Sequence, residues 1–254
     1  MKNEAYDLLQ RIIASETGLN ILFYGSSTNS DKVAAHMQNG VWCLRDAPDL
    51  LIKYENEALI VEHFEFDSYR VKRKKGSSGK RELSRIQKKE DAIPPTEEGA
   101  LFHDQINANS SYSDYVQNVT NVFCKHYSHI SMYKENLRKD GLINAADAVQ
   151  VMFLIEDTTT LGAIVTDENA DVHYNFLSHC RPFLDLLKAS PDINYVLACS
   201  SVNNRYYCWF IDCSQLDAYY GKVVDYGNMA FLDFTPQVTG FKILVPEGGN
   251  TEIE

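Results

Sequence analysis

The sequence predicts an α/β fold, a mixed sheet with flanking helices, and three observations carry that prediction. Segments with helical spacing of apolar residues alternate along the chain with short β-branched and aromatic runs. One of those runs, residues 149–156, is continuously apolar, as a strand buried on both faces is. Strands and helices are interleaved and not segregated, which favours one layered domain with a C-terminal extension over two independent ones. A length of 254 residues, with 44% apolar and 11% aromatic content, is enough for a substantial core.

The first helix is expected over Glu4–Ala14. Ala5, Leu8, Leu9, Ile12 and Ile13 share one face, and Asn3 stands where an N-cap belongs. Ile21–Tyr24 reads as a short strand. The Gly25–Asp31 turn leads to a short helix through Met37, capped by Ser30 or Asp31. That loop lacks the spacing of a phosphate-binding P-loop. Leu50–Tyr54 and Ala58–Asp67 read as two strands of a hairpin, joined by a turn within Glu55-Asn56-Glu57. Ser113–Lys139 reads as the longest helix, with Val116, Val119, Phe123, His126, Ile130, Tyr133 and Leu137 along one seam and Gly141 as its stop. Pro182 suits the first turn of a helix over Phe183–Lys188. Tyr195–Ser200 and Tyr206–Asp212 flank Asn203-Asn204, a good two-residue hairpin turn. Phe231–Val245 adds strand-like segments, and the last eight residues look frayed.

Charge is distributed unevenly. The chain has 24 Lys and Arg against 35 Asp and Glu, a net charge of -11. Ten of the basic residues lie between Arg70 and Lys89, where Glu82 is the single acid, so that window is +9 and the rest is -20. Its first half, through Gly76-Ser77-Ser78-Gly79, is expected to be a mobile loop, and a basic helix from Ser78 to about Lys89 follows, ended by Pro94-Pro95. A uniformly acidic protein would repel nucleic acid, whereas a concentrated basic segment can contact it locally. No apolar run approaches the roughly 20 residues that span a bilayer, and the N-terminus does not read as a signal peptide. A cytoplasmic protein with no membrane partner is expected, its oligomeric state open. The six cysteines form no CxxC pair and are expected to be reduced and mostly buried.

The hairpin is where candidate chemistry concentrates. A turn at Glu55-Asn56 puts Asp49 directly opposite Glu62; a turn at Asn56-Glu57 puts it diagonal to Glu62; a three-residue turn puts it opposite His63, with Glu65 and Asp67 on that face. In each register Asp49 gains an acidic or imidazole neighbour. Charges on a strand this apolar need a partner, and a divalent cation suits clustered carboxylates.

Pro48-Asp49, twelve intervening residues and Glu62 on a hairpin behind an acid-bearing helix resemble the PD-(D/E)XK nuclease superfamily. The resemblance covers roughly residues 3–70. It implies a restriction-endonuclease-like core, here with a helical insertion and a C-terminal β extension. It implies Mg²⁺ or Mn²⁺ held by Asp49 and Glu62, with Glu4 as the helix acid, and hydrolysis of DNA or RNA. The motif lysine position holds Phe64. Its role would pass to His63 or to Lys72, Lys74 and Lys75, and Glu65 is a further candidate at the catalytic centre. Arg70, Lys72, Arg73, Lys74, Lys75, Lys80 and Arg81 would contact phosphates. Glu62–Asp67 also resembles segments of uncharacterised bacterial proteins that are followed by a basic Gly-Ser loop. The alternatives are a catalytically inactive nucleic-acid-binding module on the same fold, or a protein-interaction factor of immunity or phage type. His126 and His129, three residues apart, read as core residues and not as a metal pair, and Glu156-Asp157 reads as a strand end that could add a ligand.

Overall fold

The computed structural model describes residues 3–14, 19–24, 27–72, 76–94, 100–105, 110–159, 163–166, 172–175, 177–202, 205–220, 230–231 and 237–242. In chain order the elements are α1 (Glu4–Ala14), β1 (Leu19–Tyr24), α2 (Ser27–Asn39), β2 (Val41–Leu44), β3 (Leu50–Tyr54), β4 (Glu57–Phe66), β5 (Val71–Lys72), β6 (Gly76–Ser77), α3 (Ser78–Asp91) and β7 (Ala100–Gln105). There follow α4 (Tyr112–Tyr127), α5 (Ile130–Lys139), β8 (Ala148–Asp157), β9 (Ala163–Thr166), β10 (Val172–Asn175), α6 (Arg181–Lys188), β11 (Tyr195–Val202), β12 (Arg205–Asp212), α7 (Leu216–Tyr220), β13 (Ala230–Phe231) and β14 (Gln237–Lys242). The sequence predicts one domain; the chain groups into two compact units, Met1–Ser68 with Ser111–Leu232, and Tyr69–Ser110 with Asp233–Glu254.

The first unit is built on a seven-stranded mixed sheet in the order β1-β12-β11-β8-β4-β3-β2. β2, β3 and β4 form an antiparallel meander, β4 runs parallel to β8, and β8 parallel to β11. Parallel neighbours require crossovers, and helices α4, α5 and α6 supply them. The strands alternate between two cores. Ala58, Ile60, Phe64 and Phe66 of β4 pack with Val151, Phe153 and Ile155 of β8 against Tyr115, Val119 and Phe123 of α4 and Tyr133 and Leu137 of α5. Leu59 and Val61, with Met152 and Leu154, face Ala5, Leu8, Leu9 and Ile12 of α1. Because β4 and β8 lie in the middle of the sheet, both of their faces are apolar, which accounts for the continuous run that marks β8 in the sequence.

Local chemistry sets the ends. Asn3 caps α1, its Oδ1 accepting from Tyr6 N at 2.9 Å, as expected. Ser111 caps α4, accepting from Asp114 N at 3.0 Å while its hydroxyl donates to Asp114 at 2.7 Å. The long helix expected over Ser113–Lys139 is broken: α4 ends at Tyr127 and α5 begins at Ile130. Gly141 has a φ of +69° just beyond α5, a conformation that needs glycine and the stop that the sequence predicts. Strand β2, short and at the sheet edge, is not foreseen from the sequence. The hairpin turn at Asn203-Asn204 and the frayed C-terminus fall outside the described residues, although Val202 and Arg205 pair on either side of that turn.

In the second unit β7 pairs antiparallel with β14, and Tyr69, Ile86 and Phe102 form a small core with α3. A Cβ on Gly79 would sit 2.2 Å from the Tyr69 ring, so the start of α3 needs glycine to pass it. The basic helix runs Ser78–Asp91, close to the predicted bounds; Arg73, Lys74 and Lys75 of the expected loop lie outside the described residues. Among the described residues no helix is long and apolar enough to cross a membrane, and the six cysteines are free thiols.

The β3–β4 turn is made by Glu55 and Asn56, between the paired Tyr54 and Glu57. Glu55 has a φ of +54°, where a side chain is strained. Hairpins with a positive φ at the first turn residue favour glycine there. Glu55→Gly is expected to raise the unfolding free energy by about 1 kcal/mol, the strain relieved exceeding the added chain entropy; urea denaturation measures it, and no gain would show the turn to be unstrained.

Candidate functional site

The turn fixes the register. With Leu50 opposite Val61, the next pair outward is Asp49 and Glu62, directly across from each other on the face that carries α4 and α5. This is the closest of the three arrangements that the sequence allows. Asp49 Oδ2 accepts from His63 N at 2.7 Å, and Asn3 Nδ2 donates to the Asp49 carbonyl at 2.9 Å, so the cap of α1 also holds the approach to β3. Burial raises the Asp49 pKa above its ordinary value; the His63 N–H opposes this, and the Glu62 charge adds to it.

Glu62 is 4% exposed. Its Oε1 accepts from His126 Nδ1 at 2.7 Å and from the Tyr133 hydroxyl at 2.9 Å. A carboxylate oxygen that accepts both bonds fixes the proton of His126 on Nδ1, so a neutral ring carries its lone pair on Nε2. The imidazole stacks on Phe64 with ring centroids 4.9 Å apart and keeps 19% of its side-chain surface at solvent. Burial, followed by the neighbouring Glu62 charge, pushes the Tyr133 hydroxyl well above its usual range. The helix break makes this possible. Residues seven apart on a continuous helix are about 10.5 Å apart along its axis, too far to meet on one oxygen. His126 and Tyr133 are the partners of Glu62 that the sequence read only as members of the apolar seam. Their signal was two polar rings on an otherwise apolar seam facing a buried acid.

The other expected site residues lie across the sheet. Odd-numbered positions of β4 face α1, so His63 and Glu65 do not join Asp49 and Glu62. They line a cavity of about 610 Å³ with Glu4, Asp7, Gln10, Arg11 and Glu156. Glu4 is on that side too, with the α1 face. Among the described residues no three of His, Cys, Asp and Glu are grouped to hold a metal. What the site offers a cation is a pair of carboxylates, each with one oxygen engaged by the chain.

In the second unit Arg70 and Arg81 are exposed. Arg81, Ser84, Arg85, Lys88, Lys89 and Ala92 line a shallow cavity of about 590 Å³ on α3. Arg85 and Lys89 already reach Asp104, at 3.0 and 2.8 Å, and hold its carboxyl well below the usual range. That leaves Arg81 and Lys88 as the cations of this cavity that no described acid pairs. Lys72 and Lys80 lie on β5 and α3.

At the C-terminal ends of β4 and β8, Asp67 and Asp157 are both buried. Asp157 accepts from the Tyr115 hydroxyl and from Thr159 N, each at 2.9 Å. Thr158 N closes the strand end on Phe66 O, so this acid belongs to strand termination, as the sequence suggests. A third cavity, of about 600 Å³, lies at the opposite end of the strands; its buried Asp212 is satisfied by Asn29 and Ser214. Comparison with protein-family models, with curated proteins and with solved structures gives no match.

Burial pushes the Asp157 carboxyl from 3.8 up to about 6. Between these values the folded chain binds more protons than the unfolded one, so stability falls as pH rises. The contribution of Asp157 is full below about pH 4 and lost above about pH 6, on the order of 3 kcal/mol. Asp157→Asn is expected to flatten this slope, read by urea unfolding from pH 4 to 7; an unchanged slope would assign it to another group.

Proposed function

We propose that the chain is a divalent-cation-dependent nuclease acting on DNA or RNA, with a restriction-endonuclease-like core. The observation that carries this reading is the pairing of Asp49 with Glu62 on neighbouring strands. A buried acid and its like-charged neighbour repel, and a cation between them relieves both. Mg²⁺ typically takes one or two carboxylates and completes its shell with water and substrate phosphate, so two acids suffice. Asp49 Oδ1 and Glu62 Oε2 are the oxygens that would hold Mg²⁺ or Mn²⁺. When bound, the ion polarises the phosphate and lowers the pKa of a water.

The chain's own groups supply the rest. His126, held by Glu62 at Nδ1, accepts the proton of the attacking water at Nε2. Phe64, at the position of the motif lysine, aligns the imidazole by stacking. Tyr133 fixes the Glu62 carboxylate. The basic segment, with Arg81 and Lys88 foremost, contacts backbone phosphates, whose negative charge the acidic body would otherwise repel.

A second reading is a binding module without catalysis, favoured by the two donors already seated on Glu62 Oε1. Cleavage of single- and double-stranded DNA and RNA with Mg²⁺ or Mn²⁺ separates the two. Asp49→Asn and Glu62→Gln are expected to lose at least about 100-fold in rate, and His126→Ala a similar factor. Equal rates in the variants would overturn the assignment; no cleavage by wild type, with binding intact, would select the second reading. Arg81→Gln is expected to weaken binding to all sequences and to reduce the salt slope by about 1; a slope unaffected by the change would remove Arg81 from the interface.

A further inference from the structure

The cavity on the α1 face, separate from the Asp49–Glu62 pair, has its own chemistry. Glu4, Asp7, Glu65 and Glu156 line it against a single guanidinium, Arg11. Glu4 and Asp7 occupy the first turn of α1. At its wall His63 has a side chain only 9% exposed. The buried His63 Nε2 has no hydrogen-bond partner, and Glu156 Oε2, the acid oxygen it approaches, is 3.6 Å away, beyond hydrogen-bond reach. A buried polar atom without a partner costs on the order of 1–3 kcal/mol and marks a place where a group is wanted. With the ring proton on Nδ1, Nε2 and the Glu156 carboxylate are both acceptors, and what fits beside them is a donor.

We infer that this cavity binds an aliphatic polyamine. An ammonium group carries three tetrahedral donors, matching acceptors spread over His63, Glu156 and the α1 acids. A guanidinium is a planar fork suited to one carboxylate, and the acceptors here come from separate side chains. Four carboxylates against one arginine leave charge for more than one ammonium. A volume of about 610 Å³ accommodates a flexible chain carrying two or three of them. Among the described residues no three of His, Cys, Asp and Glu are grouped at one point, so the acceptors are spread as an extended chain of ammonium groups requires. The inference does not depend on the nuclease reading, since it uses neither Asp49 nor Glu62.

Isothermal titration of the full chain with spermidine at low salt tests it. One-to-one binding is expected, weakened about tenfold or more by Glu156→Gln and by Asp7→Asn, with butylamine at least tenfold weaker than putrescine. Glu62→Gln is expected to leave spermidine affinity unchanged, so failure of the nuclease reading would not touch this result. Melting curves for each variant, with and without spermidine, identify any that fails to fold. No binding, equal affinity in wild type and both cavity variants, or displacement of spermidine by stoichiometric Mg²⁺ would overturn the inference. Acetyl-lysine amide binding as tightly as spermidine would also overturn it, by pointing to a lysine side chain of a protein.

Discussion

A carboxylate inside a strand that is apolar on both sides is the constraint around which the first unit is arranged. Glu62 lies in the middle of the sheet with almost no access to water, and an ionised carboxyl there is untenable without donors. On one side β4 is paired with β8 through this position, and the His63 N–H on the other side is taken by Asp49. The donors therefore come from the helical layer. One is on α4 and the other on α5, and both reach one oxygen because the helix stops at Tyr127 and restarts at Ile130. At the junction Ser128 N and His129 N bond back to Cys124 O and His126 O, a tightened last turn that lets the chain bend without losing its backbone bonds.

The same strand divides the chemistry of the protein between two faces. Side chains of β4 alternate, so Glu62 and His63 are adjacent in sequence and lie on opposite sides of the sheet. Charges spaced two apart share a face; charges one apart do not. Glu65 therefore belongs with His63 and the acids of α1, while Asp49 belongs with Glu62. The main chain links the two sets, through the His63 N–H that donates to Asp49. The peptide that orients Asp49 on one side thus carries on its own Cα the imidazole at the wall of the cavity on the other.

Much of this was legible in the sequence. The α1 face, its Asn3 cap, the β3–β4 hairpin and the buried run of β8 follow from local periodicity and turn chemistry, and they stand where expected. The register was narrowed to three, and a strained residue decides among them: Glu55 takes a positive φ, which turn propensities do not anticipate for glutamate. Two features depend on tertiary demands that no local window contains. The seam of Ser113–Lys139 is regular, and its interruption goes with the two donors that α4 and α5 bring to Glu62. The pairing of β7 with β14 joins Ala100 to Lys242, and neither strand signals the other. The site divides in the same manner. Asp49 and Glu62 were readable as facing acids, whereas His126 read as one more core ring because its partner is 64 positions away.

Phe64 gives the sharpest view of how packing and charge were reconciled. Position 64 shares a face with Glu62. Here that position is 4% exposed, with Phe153 edge-on at 5.3 Å. An ammonium in these surroundings would lose its hydration, a loss that only close pairing with the acids offsets. A phenyl ring instead joins the aromatic core directly and presents its face to His126. The hydrogen-bond donor then arrives from α4, partly open to solvent, and meets Glu62 at 2.7 Å. Two demands that a lysine would have to meet with one side chain, filling an apolar layer and facing a carboxylate, are met by two rings in contact. The exchange works only if the helix delivers its histidine at the level of Phe64. The stacking distance of 4.9 Å and the broken helix are therefore parts of one arrangement, and a change at Phe64 acts on Glu62 through His126.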